Sequence, residues 1–442
     1  MGFTDARDYI LTLFFFGLMF YSYRRPWAAV LVWAWLGFMN PHRLCWGFAR
    51  YLIPFSAIAA LVTFLAMFIS NQKNKFPWTR ETILLAIFCV WMCITTVFAF
   101  NQDEAGKYLD RSLKIQAMIF CIFWILQSRF HLEALVWVIV FSFGFYGVKG
   151  GLFTLMTGGG GQVMGPAGSF ITGNNEIALA LVMILPLMGY LLMHSERRSI
   201  KWAMIVSQIL TVVAVIGTYS RAGFLALCVL LAFQWWASRY KVALTLALML
   251  LGPPIFFFMP QQWRDRMSTI RNTSEGTMDA SAKGRINAWR MGLNLAEHRP
   301  ITGGGFRTFT TEAFRQYAPD PADQHDAHSI YIEVLAEQGF PGLAMFLTLA
   351  LFTWMSGRRV KKIARVLPEM QWAADMVVQT ELGLAAYAVA GAFAGLAYFD
   401  LPYAMMAMIV LCRFLADRAL RERTWEHAHA ETAIHGLVPQ EA

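Results

Sequence analysis

A succession of apolar runs constrains the fold of this chain more than any motif does. Only helices and closed barrels satisfy their backbone hydrogen bonds inside a bilayer, and a helix needs about 20 apolar residues to cross it. With 57% hydrophobic and only 15% charged residues, the chain has too little polar surface for a soluble protein. The runs lie near 9–22, 27–39, 51–70, 82–100, 115–127, 132–155, 177–193, 202–219, 222–238, 242–259, 343–356, 378–399 and 402–416.

These runs predict an all-α polytopic membrane protein with about 12 or 13 transmembrane helices. The runs 9–22 and 27–39 are shorter than a full span. Each is therefore a tilted helix, an interfacial helix or half of a hairpin. The six cysteines lie mostly inside apolar runs, without the spacing of a zinc site or a disulfide framework. We interpret them as packing residues.

The basic residues gather in short clusters that fall on one side of the membrane when the spans alternate. Under the positive-inside rule this side is the cytoplasm. Topology therefore accounts for the formal charge of +9, and we expect no nucleic acid partner. The clusters are Arg24–Arg25, Lys73/Lys75/Arg80, Arg197/Arg198/Lys201, Arg239/Lys241 and Arg358/Arg359/Lys361/Lys362/Arg365.

The same alternation divides the chain into four segments. Residues 1–259 form transmembrane helices with short loops, and residues 260–339 form a helical loop domain that ends in an interfacial helix. This domain faces outward, into the periplasm of a Gram-negative cell. Residues 340–417 form the carboxyl-terminal transmembrane helices, and residues 418–442 form a cytoplasmic tail. Within the loop domain, apolar spacing and turn residues predict helices over Arg285–Glu297 and Arg307–Tyr317.

The segment Asp326–Gly342 joins the long polar loop to the apolar run that follows it. Helical spacing predicts a short amphipathic helix that opens near His328 and breaks at Gly339. Glu333 and Glu337 would be costly in the middle of a bilayer. We therefore expect this helix at the membrane surface, with the span beginning after the break.

Two residues in outward segments have side chains suited to chemistry at a membrane surface. Arg221 lies in GTYSRAG between two apolar runs, and a guanidinium binds phosphate bidentately. His328 titrates near neutral pH, so it can take a proton from a hydroxyl while that oxygen attacks. The alternatives are an interfacial arginine bonded to lipid headgroups or helix ends, and a structural histidine.

Three more cations are candidates for the same phosphate site. Arg285 lies in the first turn of the predicted loop helix, Arg290 lies five residues on, and Lys149 lies in FYGVKGG at the outer end of a span. For each of them the alternative is a solvated surface charge.

The sequence offers no sign of a metal or a nucleotide cofactor. The tract Asp320–Asp326 holds hard ligands, but its spacing matches no site that we recognise. The whole sequence contains no P-loop, dinucleotide fingerprint or Gly-x-Ser-x-Gly elbow, so we expect neither ATP nor NAD as a partner. We predict metal-independent chemistry without a cofactor.

Taken together, several stretches show that the chain resembles the O-antigen ligase and O-antigen polymerase superfamily over nearly its whole length. It is most similar to the subgroup of O-glycosylation ligases associated with exosortase A. The stretches are MNPHRLCWGFA, ALVWVIVFSFGFYGVKGGLFTLMTGGG, GTYSRAGFLAL, GRINAWRMGLNLAEHRPITGGGF, AHSIYIEVLAEQGFPGL and LAYFDLPY.

This resemblance implies a membrane glycosyltransferase in the bacterial inner membrane, with its active site facing the periplasm. It implies transfer of an O-antigen-type glycan from undecaprenyl diphosphate to a lipid A core sugar or a protein hydroxyl. Arg221 and Arg285 match family arginines, Arg285 being the one that precedes the loop-helix aromatic, here Trp289. His328 matches the histidine of the family's His-Ser/Asn motif, and Asp400 stands where the family can place an acid.

In that setting the cations would neutralise the departing diphosphate, and His328 would activate the acceptor hydroxyl for an inverting displacement. No neighbouring carboxylate nucleophile is evident, which disfavours retention. Two alternatives stay open. A polymerase would use the same donor and a lipid-linked glycan acceptor, and a transporter of lipid-linked oligosaccharide would also have many spans and an arginine near phosphate.

Overall fold

The computed structural model describes residues 6–70, 74–237, 241–242, 245–246, 249–250, 257–268 and 280–435. Every regular element in these ranges is a helix. Two 3₁₀ turns, Pro41–Leu44 and Pro368–Met370, accompany the α-helices. The α-helices are Ala6–Ser22 (α1), Pro26–Met39 (α2), Phe48–Tyr51 (α3), Phe55–Ile69 (α4), Arg80–Val97 (α5), Gln102–Ile125 (α6), Arg129–Met156 (α7), Asn174–His194 (α8), Arg198–Gly217 (α9), Arg221–Ala237 (α10), Gln261–Ser268 (α11), Ala280–His298 (α12), Thr311–Tyr317 (α13), Ile330–Ala364 (α14), Gln371–Gly391 (α15) and Asp400–His435 (α16).

Five of these helices, α5, α7, α8, α9 and α14, are long and apolar enough to cross a membrane. Shorter apolar helices are α2, α4 and the stretch Arg221–Trp236 of α10. The described residues thus confirm an all-helical, multi-pass character. The total of 12 or 13 spans stays a prediction, and most of the predicted run 242–259 lies outside the described residues.

Several boundaries differ from the apolar runs for local reasons. Pro54 separates α3 from α4 within the run 51–70, because a proline has no N–H to give to the helix. Helix α6 begins well before its apolar part, since the side chain of Asn101 accepts a hydrogen bond from the Glu104 N–H at 3.1 Å. The run 378–399 ends as a helix at Gly391, and a loop leads from there to α16.

Helix α8 lies at the centre of the bundle, and 78% of the residues in its most apolar stretch are buried. It contacts α7, α9, α10 and α15. Helices α7 and α9 approach each other closely at Gly147 and Gly151. A Cβ atom at Gly151 would overlap the backbone of Leu210, so only glycine permits this distance.

The loop segment that contains α12 and α13 has a small hydrophobic core of its own between these two helices and the start of α14. The predicted helix over Arg285–Glu297 is confirmed and begins earlier, at Ala280. The predicted start of the next helix at Arg307 is wrong. Arg307 has a positive φ of 58°, and Thr310 caps a helix that begins at Thr311. The core residues are Ala288, Met291, Leu295, Ala313, Phe314, Tyr317 and Ala336.

Helix α14 runs through the predicted break with a kink at Gly339, where φ is 69° and ψ is −175°. Pro341 has no N–H for the carbonyl of Glu337, and the N–H of Phe340 bonds to the Pro300 carbonyl at 2.9 Å. Two carbonyl groups of the preceding turn are therefore left without partners inside the helix.

The turn Gly303–Gly305 satisfies both carbonyl groups. The Gly304 N–H donates to the carbonyl of Ala336 at 2.8 Å, and the Gly305 N–H donates to that of Glu337 at 3.0 Å. Gly303 and Gly305 have positive φ values of 60° and 78°, which glycine adopts without strain. This pairing fixes the loop segment against the first two turns of α14.

Candidate active site

A cavity of about 440 Å³ opens between the loop segment and the helical bundle. Its wall is formed by α6, the amino terminus of α8, the segments on either side of α13, the first turns of α14, and the loop after α15. Cations and carboxylates share this wall, so the cavity is of mixed charge. Its basic and acidic side chains are Arg111, Glu176, Arg307, Asp326, His328, Glu333 and Glu337.

His328 lines the cavity two residues before α14 begins, with a positive φ of 42°. The chain leading to it is bonded to α12. Trp289 donates from its indole N–H to the carbonyl of Ala327 at 2.7 Å, and Asn287 donates to the carbonyl of Asp323 at 2.7 Å. Trp289 thus holds the peptide next to His328, and its supporting role in the reaction stays a prediction.

Burial lowers the pKa of His328 below its ordinary value of 6.5, and the nearby Arg285 guanidinium lowers this pKa further. The carboxylate of Asp326 acts in the opposite direction. The imidazole is therefore neutral at neutral pH. A neutral imidazole can accept a proton, as a general base must.

Arg285 lies close to this site without lining the cavity. Its charge acts on His328 and on Glu176 of α8. The preceding residue, Gly284, packs directly on the ring of His325, where a Cβ atom would overlap. Close packing of α12 on the loop before His328 therefore brings Arg285 next to the histidine.

Arg221 begins α10 at a tight turn that is bonded to the cavity wall. The hydroxyl of Ser220 donates to Asn175 Oδ1 at 2.7 Å, and Asn174 Nδ2 donates to the carbonyl of Thr218 at 3.1 Å. Both asparagines line the cavity. The structure therefore brings Arg221 to the edge of the site, although its own side chain is not part of the lining.

Arg290 and Lys149 lie apart from the cavity. Both are exposed, and neither is among the described residues that line it. Arg290 lies on the face of α12 opposite the buried Ala288 and Met291. Their assignment to phosphate binding stays a prediction.

Asp400 lies behind the cavity wall, buried at the start of α16. Its charge acts on Arg111, which does line the cavity. One of its carboxylate oxygens would lie 2.9 Å from a Cβ atom at Gly37, so the glycine of α2 provides the space for it. Asp400 therefore acts on the site through its charge and not through the lining, and its supporting role stays a prediction.

Two lining arginines were not among the residues singled out from the sequence. The guanidinium of Arg111 lies 3.5 Å from the ring centroid of Phe170, and that of Arg307 lies 4.9 Å from the ring of Tyr108. Both rings line the cavity as well. Stacking on an aromatic face orients a guanidinium and leaves its N–H groups available at the edges.

Two carboxylates of α14 also line the cavity, one helical turn apart. Glu337 is buried, and its Oε1 accepts a hydrogen bond from the backbone N–H of Arg307 at 2.8 Å. Glu333 accepts from the N–H of Ala397 at 3.2 Å. From the sequence, both glutamates were expected only to be costly inside a bilayer. Their i, i+4 spacing places them on one face of a helix, and this spacing could have indicated a shared site.

The described residues that line this cavity form no evident metal site. Within the described ranges, no group of three or more histidine, cysteine, aspartate or glutamate side chains could hold a metal ion. The arrangement instead combines a neutral imidazole, guanidinium groups and buried carboxylates around one space. Groups of this kind can bind an anion and can accept a proton from a hydroxyl.

Comparison with known proteins divides the chain into two matched segments. Residues 6–196 match a family of unknown function (DUF5935), and residues 206–347 match the model of an O-antigen ligase domain (Wzy_C). No curated protein matches the chain. The cavity takes lining residues from both segments, and the second one includes Arg221, Arg285, Arg307, His328, Glu333 and Glu337.

Proposed function

The chain belongs to the O-antigen ligase superfamily through residues 206–347, and from this premise we propose that it is a membrane glycosyltransferase. Its donor would be a glycan on undecaprenyl diphosphate, and its acceptor a hydroxyl at the periplasmic face of the bacterial inner membrane. The observation that carries the proposal is His328, whose pKa is lowered and which lies in a cavity with arginines at its wall and edge.

In the proposed reaction, the acceptor oxygen attacks the anomeric carbon as the bond from that carbon to the diphosphate oxygen breaks. His328 takes the proton of the acceptor hydroxyl, and the diphosphate leaves with the bonding electrons. Arg221 and Arg285 lie beside the cavity, and from there the charge of their guanidinium groups stabilises the negative charge that develops on the diphosphate. A single displacement of this kind inverts the anomeric centre, and it needs no metal or cofactor.

Arg307 and Arg111 add to this scheme as lining cations. Each is stacked on a ring, so each can bind a phosphate oxygen without first being ordered. The carboxylates of Glu333 and Glu337 accept hydrogen bonds, and they are suited to sugar hydroxyls. We propose that the guanidinium groups bind the anionic leaving group and that the glutamates bind hydroxyls of the glycan.

The acceptor distinguishes the members of this class. A lipid A core sugar would make the protein a ligase of lipopolysaccharide, a serine or threonine hydroxyl would fit the exosortase-associated subgroup, and a second lipid-linked glycan would make it a polymerase. The donor site is common to all three.

The test is a transfer assay with purified protein in detergent, a lipid-diphosphate-linked glycan and each of the three acceptors. We expect covalent transfer to one acceptor without ATP, and His328→Ala should lower its rate by about 10²- to 10⁴-fold, the range for a lost general base. His298→Ala is the matched control, since His298 lies exposed at the end of α12. Full transfer by His328→Ala would refute the mechanism.

A further inference from the structure

A second cavity lies at the opposite end of the helical bundle from His328. Helix α5 runs between the two ends. Its carboxyl end leads to Phe100, which bonds to Gly304 of the loop segment at 2.9 Å, while its first residue, Arg80, lines the second cavity. An 18-residue helix is about 27 Å long. The two cavities are therefore separated by roughly the thickness of a bilayer core.

This second cavity, here called the basic cavity, has a volume of about 810 Å³. Five of its lining side chains are cations and one is an acid. Even when the neighbouring Glu81 and Glu422 are counted, the cations are in excess. The charged lining residues are Lys75, Arg80, Arg413, Asp417, Arg418 and Arg421.

Two of the cations are held in place by a buried carboxylate. Glu81 is fully buried and lies 3.0 Å from Arg80 Nε and 3.4 Å from Arg413 Nη1. Arg413 also donates to the hydroxyl of Ser356 at 2.9 Å, and that hydroxyl donates to Glu81 at 2.6 Å. The guanidinium groups at the inner end of the cavity are thus ordered before any ligand binds, whereas Lys75 and Arg421 are exposed.

An apolar groove of about 610 Å³ adjoins the basic cavity. Asn74, Phe76 and Trp78 belong to the lining of both. The remaining groove residues are apolar side chains of α4, α5 and α6, namely Phe64, Met67, Phe68, Ala86, Ala117, Phe120, Cys121, Trp124 and Ile125.

The shared wall is tied to α6 by hydrogen bonds. Trp124 donates from its indole N–H to the carbonyl of Asn74 at 3.0 Å, and Asn74 Nδ2 donates to the carbonyl of Trp124 at 3.2 Å. Gln127 donates to the carbonyl of Lys75 at 2.8 Å. These hydrogen bonds therefore hold the junction between the basic cavity and the apolar groove in place.

We propose that the basic cavity and the apolar groove together bind one anionic phospholipid, with its phosphate in the basic cavity and an acyl chain in the groove. A charged space continuous with an apolar one fits an amphiphile, and arginine forks bind phosphate oxygens bidentately. Clusters of Lys and Arg next to a membrane attract anionic lipids in the same way. The site lies on the side that the positive-inside rule assigns to the cytoplasm.

The experiment uses delipidated full-length protein in detergent, offered an equimolar mixture of phosphatidylglycerol and phosphatidylcholine and examined by native mass spectrometry. We expect retention of phosphatidylglycerol over phosphatidylcholine. The double variant Lys75→Ala/Arg421→Ala should reduce this preference by roughly 5-fold for each cation removed. Arg358→Ala/Lys362→Ala is the matched control, because it removes two exposed cations of α14 outside the cavity.

Two further arms separate the parts of the proposal. Ala117→Trp fills the groove and should weaken retention of phosphatidylglycerol, whereas inorganic pyrophosphate should fail to displace the lipid.

Undecaprenyl phosphate serves as a single-chain competitor, and preferential binding of it would overturn the assignment to a phospholipid. Equal retention of both phospholipids, or an unchanged preference in Lys75→Ala/Arg421→Ala, would overturn the site. His328→Ala should bind lipid normally, so this result is independent of the proposed transfer reaction.

Discussion

His328 shows how a residue acquires chemistry from its surroundings. Its imidazole lies next to a permanent cation, Arg285, and is partly removed from water, and both effects disfavour its protonated form. Asp326 partly offsets them. The balance keeps the ring neutral at neutral pH, and the neutral ring is the form that accepts a proton.

This balance predicts the pH dependence of transfer. Because the pKa of His328 is lowered, activity should rise with pH through a midpoint below 6.5 and then stay level through neutral pH. Asp326→Asn removes the carboxylate that raises this pKa, so the midpoint should move to lower pH. The measurement is the pH profile of kcat/KM for wild type and variant.

Glu312→Gln is the control for this prediction, since Glu312 is an exposed acid of α13 outside the cavity. Its profile should match that of wild type. A midpoint that moves to higher pH in Asp326→Asn, or no ionisation below neutral pH in either protein, would contradict the assigned role of His328.

Glu337 has a buried carboxyl group whose two oxygens have different surroundings. Its Oε1 accepts the N–H of Arg307, a residue whose positive φ prevents the regular bonding of a helix or strand. The other oxygen, Oε2, is buried and lies near the hydroxyl of Tyr398. We expect a sugar hydroxyl that enters the cavity to form a hydrogen bond with this carboxyl group.

At the scale of elements, the kink in α14 connects the loop segment to the membrane bundle. Gly339 has backbone angles that essentially only glycine adopts. A side chain there would also meet the carbonyl oxygens of Ile301 and Pro300. The kink therefore depends on this residue, and the bonds from Gly304 and Gly305 depend on the kink.

We predict that Gly339→Ala lowers stability and transfer together. Backbone strain of this type costs about 1–3 kcal/mol, and overlap with the Ile301 carbonyl adds to it. The loop before α13 should then shift away from α14, which would displace Arg307 from the cavity. The measurements are thermal unfolding in detergent and the rate of transfer.

Gly17→Ala is the control for this change. Gly17 lies within α1, and a Cβ atom there meets no other atom within 4 Å. The substitution should be neutral or stabilise the helix by up to about 1 kcal/mol. If Gly339→Ala unfolds at the temperature of wild type and keeps full transfer, the kink does not position the site.

For the whole molecule, the two ends of the bundle differ in chemistry. One end has a cavity of mixed charge between the loop segment and α8, and the other has the basic cavity, which is lined by residues of α5 and α16. The positive-inside rule assigns the cationic end to the cytoplasm. The proposed reaction requires the other end to face the periplasm.

This orientation predicts the accessibility of two introduced cysteines. Arg290→Cys on α12 should react with a membrane-impermeant maleimide in intact spheroplasts, whereas Lys362→Cys near the end of α14 should react only after permeabilisation. Both positions are exposed, so access to the reagent is the deciding factor. Labelling is measured against the parent protein, which contains six cysteines. The reverse pattern would place the cavity in the cytoplasm and end the proposed function.

The sequence alone determined the all-helical class, most helix positions and the loop helix at Arg285–Glu297, and it singled out His328 as a candidate. These follow from local properties. Apolar length and periodicity decide whether a segment can cross lipid, and a proline or glycine decides where a helix bends or ends. The residue types at Arg221, Arg285 and His328 limited the chemistry in the same local way.

Only the tertiary structure decided which side chains meet. Arg111 and Glu176 belong to helices far from His328 in the chain, and their contribution to its cavity depends on how α6, α8 and α14 pack. Arg290 differs from Arg285 only in the helix face on which it lies, and packing of α12 on its neighbours decides which face is buried. Contacts between distant segments come from shape and burial, and no local pattern encodes them.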